Sequence, residues 1–341
     1  MTSNPQPPIG TNPRVAATLG ELVADATDRR EVRTTDAKSG ARFETLWIDG
    51  QPHFLKVLSA ADDWIMRVTG NTTHWEFRCW QAGLYADCPP VIDHAIVGMA
   101  LEGSGPTARL SILMEDRAAD LVPAGDTPIG LRQHEGFLDH MAAMHTRFLG
   151  WRDDLGLCDP AHRFCFFAPG VIAPELERAD VPVPIAVAQQ GWGLLPTRAP
   201  NLDALVRSVH RDPVALAEAL RTTPQTFVAG DWKLGNLGRR SDGRTVLLDW
   251  AYPGEAAPCW DLTWYLSLNA ARLPASKESA IAHYRSRLEA HGVDTAGWWD
   301  RQLGLSLLGM AAEFAWEKAV GGATELAWWE QAAIEGARWL E

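Results

Sequence analysis

The spacing of apolar and polar positions changes several times along the chain, and the changes divide it into blocks. Residues 1–13 are rich in Pro, Asn and Thr, show no apolar period and read as a disordered tail. Val15 to Thr27 carries apolar residues at helical spacing and predicts a short helix. Arg30–Thr35, Arg42–Ile48 and His53–Leu58 then read as strands. The last two are joined by Asp49-Gly50, a pair that favours the left-handed backbone of a tight hairpin turn. Asp36–Ala41 is a small-residue turn between the first two. Thr72–Leu84 returns to helical spacing, with Thr72 or Thr73 as its cap. Ala95–Gly98 and Leu110–Met114 read as further strands, so this block holds about five strands and one main helix.

From Leu131 onward the helical period dominates. Arg132–Phe148 sets Phe137, Met141, Met144 and His145 near one face. Cys158–Thr197, rich in Pro, Phe and Gly, reads as irregular chain that packs around a pocket or forms an insert. Asn201–Val209 and Pro213–Arg221 are helical, and short β segments at Thr226–Val228 and Val246–Leu248 flank the polar loop Gly230–Gly243. Helices follow from Asp261 to the end. The pattern predicts a bilobal α+β protein: the tail 1–13, a β-rich N-lobe over 14–116, and a mainly helical C-lobe over 117–341.

Composition narrows the chemistry. A chain of 341 residues with 46% hydrophobic and 22% charged positions can bury a large core. Its net charge of −12 argues against nucleic acid or an anionic membrane as partner, because both reward clustered Lys and Arg. The five cysteines form no CxxC pair, so neither a zinc site nor a disulfide framework is expected. The N-terminus has no apolar core of a signal peptide and no run of 18 apolar residues occurs, so a cytoplasmic location is expected.

The segment that carries chemistry is Phe227-Val-Ala-Gly-Asp231-Trp-Lys233-Leu-Gly-Asn236, followed by Val246-Leu-Leu-Asp249-Trp250. Phosphoryl transfer needs placement and charge neutralisation more than covalent help. One carboxylate, Asp231, can orient the attacking hydroxyl. Asn236 and Asp249 supply the hard oxygen donors that magnesium prefers. Lys233 puts a positive charge where the transferred group spreads its negative charge.

The loop and its downstream Asp resemble those of the aminoglycoside phosphotransferase and choline-kinase-like family, a branch of the protein-kinase-like fold. The resemblance implies an ATP- and magnesium-dependent kinase acting on a hydroxyl of a small molecule, such as an amino sugar, an aminoglycoside-like compound or an amino alcohol. It implies Lys56, in Phe54-Leu-Lys-Val57, as the clamp on the phosphates, and Glu76 on the following helix as its holder. Ser39 and Gly40 would cradle phosphate, and the hinge at Met114, Glu115 and Asp116 would meet adenine. Ala142-Ala-Met-His145 matches the helix before the catalytic loop, and Asp261 the carboxylate that braces that loop. The likeness covers most of residues 30–270.

The sequence departs from that pattern in two places. The loop begins with Ala229 where the family has His, and the phosphate turn holds one glycine. These departures keep a second reading open, a nucleotide-binding pseudokinase with a regulatory role. A protein kinase is disfavoured because Asp261 comes only 12 positions after Asp249, too few for a docking loop. Glu255, Glu313 and Glu317 are the acids that could hold a cationic acceptor, although Glu313 and Glu317, four apart, read first as a solvated helix face. Trp260, Trp264 and Trp316 are the aromatic candidates for the same pocket; His140 and His145 read as core or cap residues.

Overall fold

The computed structural model describes residues 14–32 and 39–340. The expected tail, the end of the strand Arg30–Thr35 and Asp36, Ala37 and Lys38 of the phosphate turn lie outside the described residues.

A six-stranded sheet forms the N-lobe, in the order Val15–Ala16, Ile96–Glu102, Arg109–Glu115, Gln51–Leu58, Arg42–Ile48, Thr27–Val32. The first pair is parallel and the others antiparallel. Asp49 and Gly50, at φ of 50° and 73°, turn the central hairpin as their types predict. Period-two alternation sorts the two faces of the sheet. Leu46, Leu55, Val57, Ala100 and Leu113 pack against Leu22 and Val23 in a small core of their own. On the opposite face, Phe54 and Lys56 pair with Met114 and Ile112 and turn towards the C-lobe.

Local pattern misled the reading here in three ways. Val15–Thr27 is not one helix: Val15–Ala16 is an edge strand, only Leu19–Leu22 is helical, and Thr27 opens the next strand. Pairing of Val15 and Ala16 with Met99 and Ala100 outweighs a weak local period. A helix at Trp64–Thr69 escaped the pattern because it is under two turns long. Asp63 caps it by accepting from the amides of Ile65 and Met66, and Gly70 at φ 73° ends it. The helix expected over Thr72–Leu84 is Trp75–Gln81, and Asn71 Oδ1, rather than Thr72 or Thr73, accepts the Trp75 amide.

The C-lobe is organised on Trp299–Val320, a helix buried on nearly every face by Val183–Arg198, Pro200–Arg211, Cys259–Leu268 and Ala323–Ala337. Small residues let these helices approach: a Cβ added at Gly191 would lie 2.1 Å from the Trp316 carbonyl oxygen. The region expected to be irregular, 158–197, is largely helical, at Pro160–Arg163, Pro169–Leu176 and Val183–Arg198. Three of its prolines mark helix starts, while Pro174 and Pro196 lie inside helices. Pro160, Pro169 and Pro184, like Pro200 and Pro213, sit in first turns, where the missing N–H costs no hydrogen bond.

The two short N-lobe helices are tied to this region. Arg67 grips Glu175 through two hydrogen bonds of 2.6 and 2.7 Å, and Arg78 donates to the Leu155 carbonyl. His162 Nε2 lies 3.1 Å from the Val68 carbonyl oxygen. The result is the expected bilobal α+β arrangement, with a cleft between the sheet and the helices.

Candidate active site

The loop after Thr226–Val228 is shaped by its glycine and by the chain opposite. Gly230 has φ 81°, and a Cβ there would stand 2.1 Å from the Tyr252 carbonyl oxygen, so glycine is required twice over. Leu234–Asn236 forms one tight turn, anchored where the Leu234 amide donates to Asn269 Oδ1. This turn brings Asn236 back onto Asp231. Asp231 is 1% exposed and its carboxylate is fully engaged: Trp264 Nε1 donates to Oδ1 at 3.0 Å, while Asn236 Nδ2 and Lys233 Nζ donate to Oδ2 at 2.8 and 2.7 Å. Burial raises the Asp231 pKa above the usual carboxylate value, with Lys233 opposing.

Asp249 follows the strand Thr245–Leu247 at φ 56°, a left-handed conformation that a non-glycine residue adopts at a cost. Lys56 Nζ donates to its Oδ1 at 2.6 Å. Burial alone would raise the Asp249 pKa, but Lys56 and Lys233 outweigh it and hold the carboxyl below its ordinary value. Lys56 is held up in return: burial opposes its charge, and Asp249 and Glu76 overcome that opposition. Glu76 does not hold Lys56 by a hydrogen bond, as the resemblance implied. Its Oε2 accepts from Asn71 Nδ2 at 3.0 Å, and burial pushes its pKa up to about 7 against the pull of Lys56.

The loop is braced from behind. Asp261, fully buried, accepts from the Gly230 amide at 3.0 Å and from the Ala229 amide at 3.2 Å. His145 Nε2 lies 3.2 Å from the same carboxylate, and His145 Nδ1 lies 2.5 Å from the Tyr284 hydroxyl. Asp261 thus holds the loop by its backbone, whatever side chain stands at 229. His145 and Tyr284 were not foreseen in this network. A histidine on the buried face of the helix before the loop was the available signal.

A cavity opens between the lobes, lined by Phe54, Lys56, Ile112, Met114, Asn236 and Asp249, among others. Its apolar walls and few polar groups are those of a ligand pocket. Met114 lines it. Glu115 pairs with Arg117 and Asp116 accepts from the Ala118 amide, so these two hinge side chains look elsewhere. Towards the loop the space continues past Ser39, Asp63, Asp231, Lys233 and Tyr252. Gly40 rests against Asp62, whose carbonyl oxygen a Cβ at 40 would meet at 2.0 Å.

The residues suggested for the acceptor separate. Glu255 is spent on Arg152 and on the Asp153 amide. Glu317 is partly exposed and lies 2.6 Å from Lys318. Glu313 is completely buried, which overturns the solvated-face reading of that pair, and neither of its oxygens has a hydrogen-bond partner. Trp264 reaches the Asp231 carboxylate itself; Trp260 packs on Phe164 in the core, and buried Trp316 packs on the half-buried Phe167.

As for a metal, Asn236 spends its Nδ2 on Asp231, leaving Oδ1, and Asp249 has one oxygen on Lys56 and one over. Two oxygen donors flanked by space for phosphates and water fit the preferences of magnesium. Among the described residues no group of three or more His, Cys, Asp or Glu could form an all-protein metal site. No helix among them is long and apolar enough to cross a membrane.

No family model matches the sequence, and no curated protein matches it. Solved structures do match in fold. The choline kinase LicA of Streptococcus pneumoniae superposes with a TM-score of 0.52 at 13% identity, over 94% of this chain and 97% of that one. The microcompartment-associated aminopropanol kinase superposes with a TM-score of 0.51 at 12% identity, over 91% and 90%. LicA in complex with AMP gives 0.51 at 13% identity, over 92% of each chain. At such identities the likeness establishes the fold, the one expected from the loop motif.

Proposed function

We propose that this chain is a small-molecule kinase, which transfers the γ-phosphoryl group of ATP to a hydroxyl of an acceptor. One observation carries the reading: Asp231, Lys233, Asn236, Asp249 and Lys56, drawn from both lobes, converge at the floor of a cleft whose other end is an apolar cavity beneath Met114. The names of the superposed structures, a choline kinase and an aminopropanol kinase, agree with a hydroxyl-bearing amine as acceptor.

In this reading the apolar cavity takes the adenine, and Lys56 neutralises the phosphates. Asn236 Oδ1 and Asp249 hold magnesium, which when bound neutralises charge on the β- and γ-phosphates. Asp231, fixed on both oxygens, orients the acceptor hydroxyl and takes its proton as the new O–P bond forms. Lys233, 2.7 Å from that carboxylate and partly open to the cleft, offsets the charge of the transferred group.

The pseudokinase reading rested on Ala229 and on the single glycine of the phosphate turn. The loop needs no side chain there for its bracing, since the amides of residues 229 and 230 themselves bond to Asp261. The test is coupled ADP release with Mg-ATP over a panel of amino alcohols, hydroxy amino acids and aminoglycosides, in the wild type, Asp231→Asn and Asp249→Ala. Turnover lost by at least about 100-fold in both variants supports the kinase. Nucleotide binding without turnover on any acceptor supports the pseudokinase.

A further inference from the structure

The cavity between the lobes has a charged end and an apolar end. Lys56, Glu76 and Asp249 also line the space before Asp231, and Asn236 bonds to Asp231, so these four side chains belong to the end that the kinase reading gives to the phosphates. Towards the hinge the walls are apolar or aromatic, with Phe54, Ile96 and Met114 among them. Two polar atoms there are withdrawn: Trp250 Nε1 donates to the Leu247 carbonyl, and the Tyr85 hydroxyl is sealed from solvent. Among the described residues of the lining, His94 is the polar side chain that remains. It faces both this cavity and an adjoining opening shared with Glu115 and Arg117, which places it at the hinge end. The mechanism above gives it no task.

How His94 is held fixes what it can offer. The Ile96 amide lies 3.0 Å from His94 Nδ1 and can only donate, so Nδ1 is the bare nitrogen and Nε2 carries the proton. Burial lowers the pKa of the ring, Asp93 opposing, and keeps it in this neutral form. Trp80 and Tyr85 pack against the ring at centroid distances of 6.2 and 5.7 Å. The backbone is held as firmly. Asp93 accepts from the Ala95 amide at 3.0 Å and is itself gripped by Arg117 and Arg240. Ala95 stands at φ 59°, a left-handed conformation that costs a residue bearing a Cβ. The outcome of this bracing is a donor left over: Nε2–H has no hydrogen-bond partner among the described residues, and it is not sealed from solvent. A donor pre-set in an apolar wall is matched by an acceptor on a ligand.

Two backbone donors of the hinge cannot take that part, because the amides of Glu115 and Asp116 are spent on the Ala95 and Pro52 carbonyls. Adenine carries on one edge its amino group and, beside it, the ring nitrogen N7, which only accepts. A backbone carbonyl suits the amino group, and N7 needs a donor. We propose that His94 reads the base of the nucleotide, its Nε2–H donating to N7 of the purine. A pyrimidine has no nitrogen in that place. This assignment rests on the reading of the cleft as an ATP site and deepens it by naming the side chain that recognises the base.

The experiment is calorimetric binding of Mg-ATP and Mg-7-deaza-ATP to the full-length protein. The analogue replaces N7 by a C–H group and keeps the amino group, sugar and phosphates. It is expected to bind at least about 5-fold more weakly than ATP, because it strands the desolvated donor. In His94→Asn the side-chain oxygen still accepts from the Ile96 amide, while the outer donor is withdrawn from the cavity. That variant should bind ATP no better than the wild type binds 7-deaza-ATP, and should bind the two nucleotides within about 2-fold of each other. A side chain that merely held the strand would weaken both nucleotides alike and preserve their ratio, which overturns the assignment. Equal binding of the two nucleotides by the wild type overturns it as well, while the ATP site stands. Near-UV circular dichroism checks folding; should His94→Asn not fold, His94→Phe, which keeps a ring against Trp80 and Tyr85, takes its place, and should neither fold, the wild-type ratio decides. Because binding is read without turnover, the expected pattern in a protein that phosphorylates no acceptor upholds His94 and overturns the kinase. If neither nucleotide binds, the kinase reading falls and His94 with it.

Discussion

Asp261 offers a quantitative test of how the loop Gly230–Asn236 is held. Its carboxylate accepts from three buried donors: the Gly230 amide at 3.0 Å, the Ala229 amide at 3.2 Å and His145 Nε2 at 3.2 Å. Asp261→Ala strands all three. A buried donor without an acceptor costs about 1–3 kcal/mol, so the variant should lose about 5 kcal/mol of stability. Asp261→Asn differs in kind. Its carbonyl oxygen keeps the Gly230 amide, and its amide nitrogen faces the other two donors. His145 can adapt by taking the other tautomer, accepting at Nε2 and donating from Nδ1 to Tyr284, whose hydroxyl reaches the Pro258 carbonyl at 3.3 Å. Only the Ala229 amide then stays unpaired, and the expected loss is about 2 kcal/mol. Urea unfolding followed by tryptophan fluorescence measures both losses. The reasoning fails if the two variants agree within about 0.5 kcal/mol, or if the alanine variant loses less than about 2 kcal/mol. Adding His145→Ala to Asp261→Ala should cost less than its effect in the wild type, because the partner has already gone.

Gly191→Ala should destabilise by about 3 kcal/mol in the same assay, since its Cβ would press on the Trp316 carbonyl oxygen at 2.1 Å. Gly193→Ala, on the same helix with nothing within 4 Å, should be neutral or stabilising by about 0.5 kcal/mol. Arg67→Ala removes the fork that holds Glu175, whose side chain is 5% exposed, and should cost about 2–3 kcal/mol and speed amide exchange across Trp64–Thr69. Glu76 carries a pH dependence: its folded pKa, pushed from 4.5 to about 7 by burial, exceeds the unfolded value, so the folded state binds the proton more tightly. Its contribution is complete below about pH 4.5 and is lost as pH rises through about 7. Glu76→Gln should therefore gain stability relative to the wild type between about pH 5 and pH 8, as denaturation at the two pH values can show.

Much of this protein could be read one residue at a time. Asp49-Gly50 turns the hairpin because those two types tolerate φ of 50° and 73°, and that turn fixes the register carrying Lys56 to the cleft face. The loop from Gly230 to Asn236 folds back on itself within a few residues, so the meeting of Asp231, Lys233 and Asn236 is local and was legible in their spacing. Where the signal was shorter than the period needed to see it, the reading failed. Trp64–Thr69 spans under two turns, and Pro160, Pro169 and Pro184 resembled loop residues although they opened helices.

Contacts across distant chain segments were decided by the tertiary structure alone. Spacing could not say that Lys56 would bond Asp249 rather than Glu76, that Trp264 would donate to Asp231, or that His145 would join Asp261 behind the loop. Nor could it distinguish Glu313 from Glu317, four residues apart on one helix, of which one is sealed in the core and the other partly exposed beside Lys318. Sequence set the local conformation and the kinds of groups present. Which groups met, and which were stripped of water and left without a partner, depended on the packing of helices that only the folded chain brings together, and that desolvation gives Asp231, Glu76 and Glu313 their altered affinity for protons.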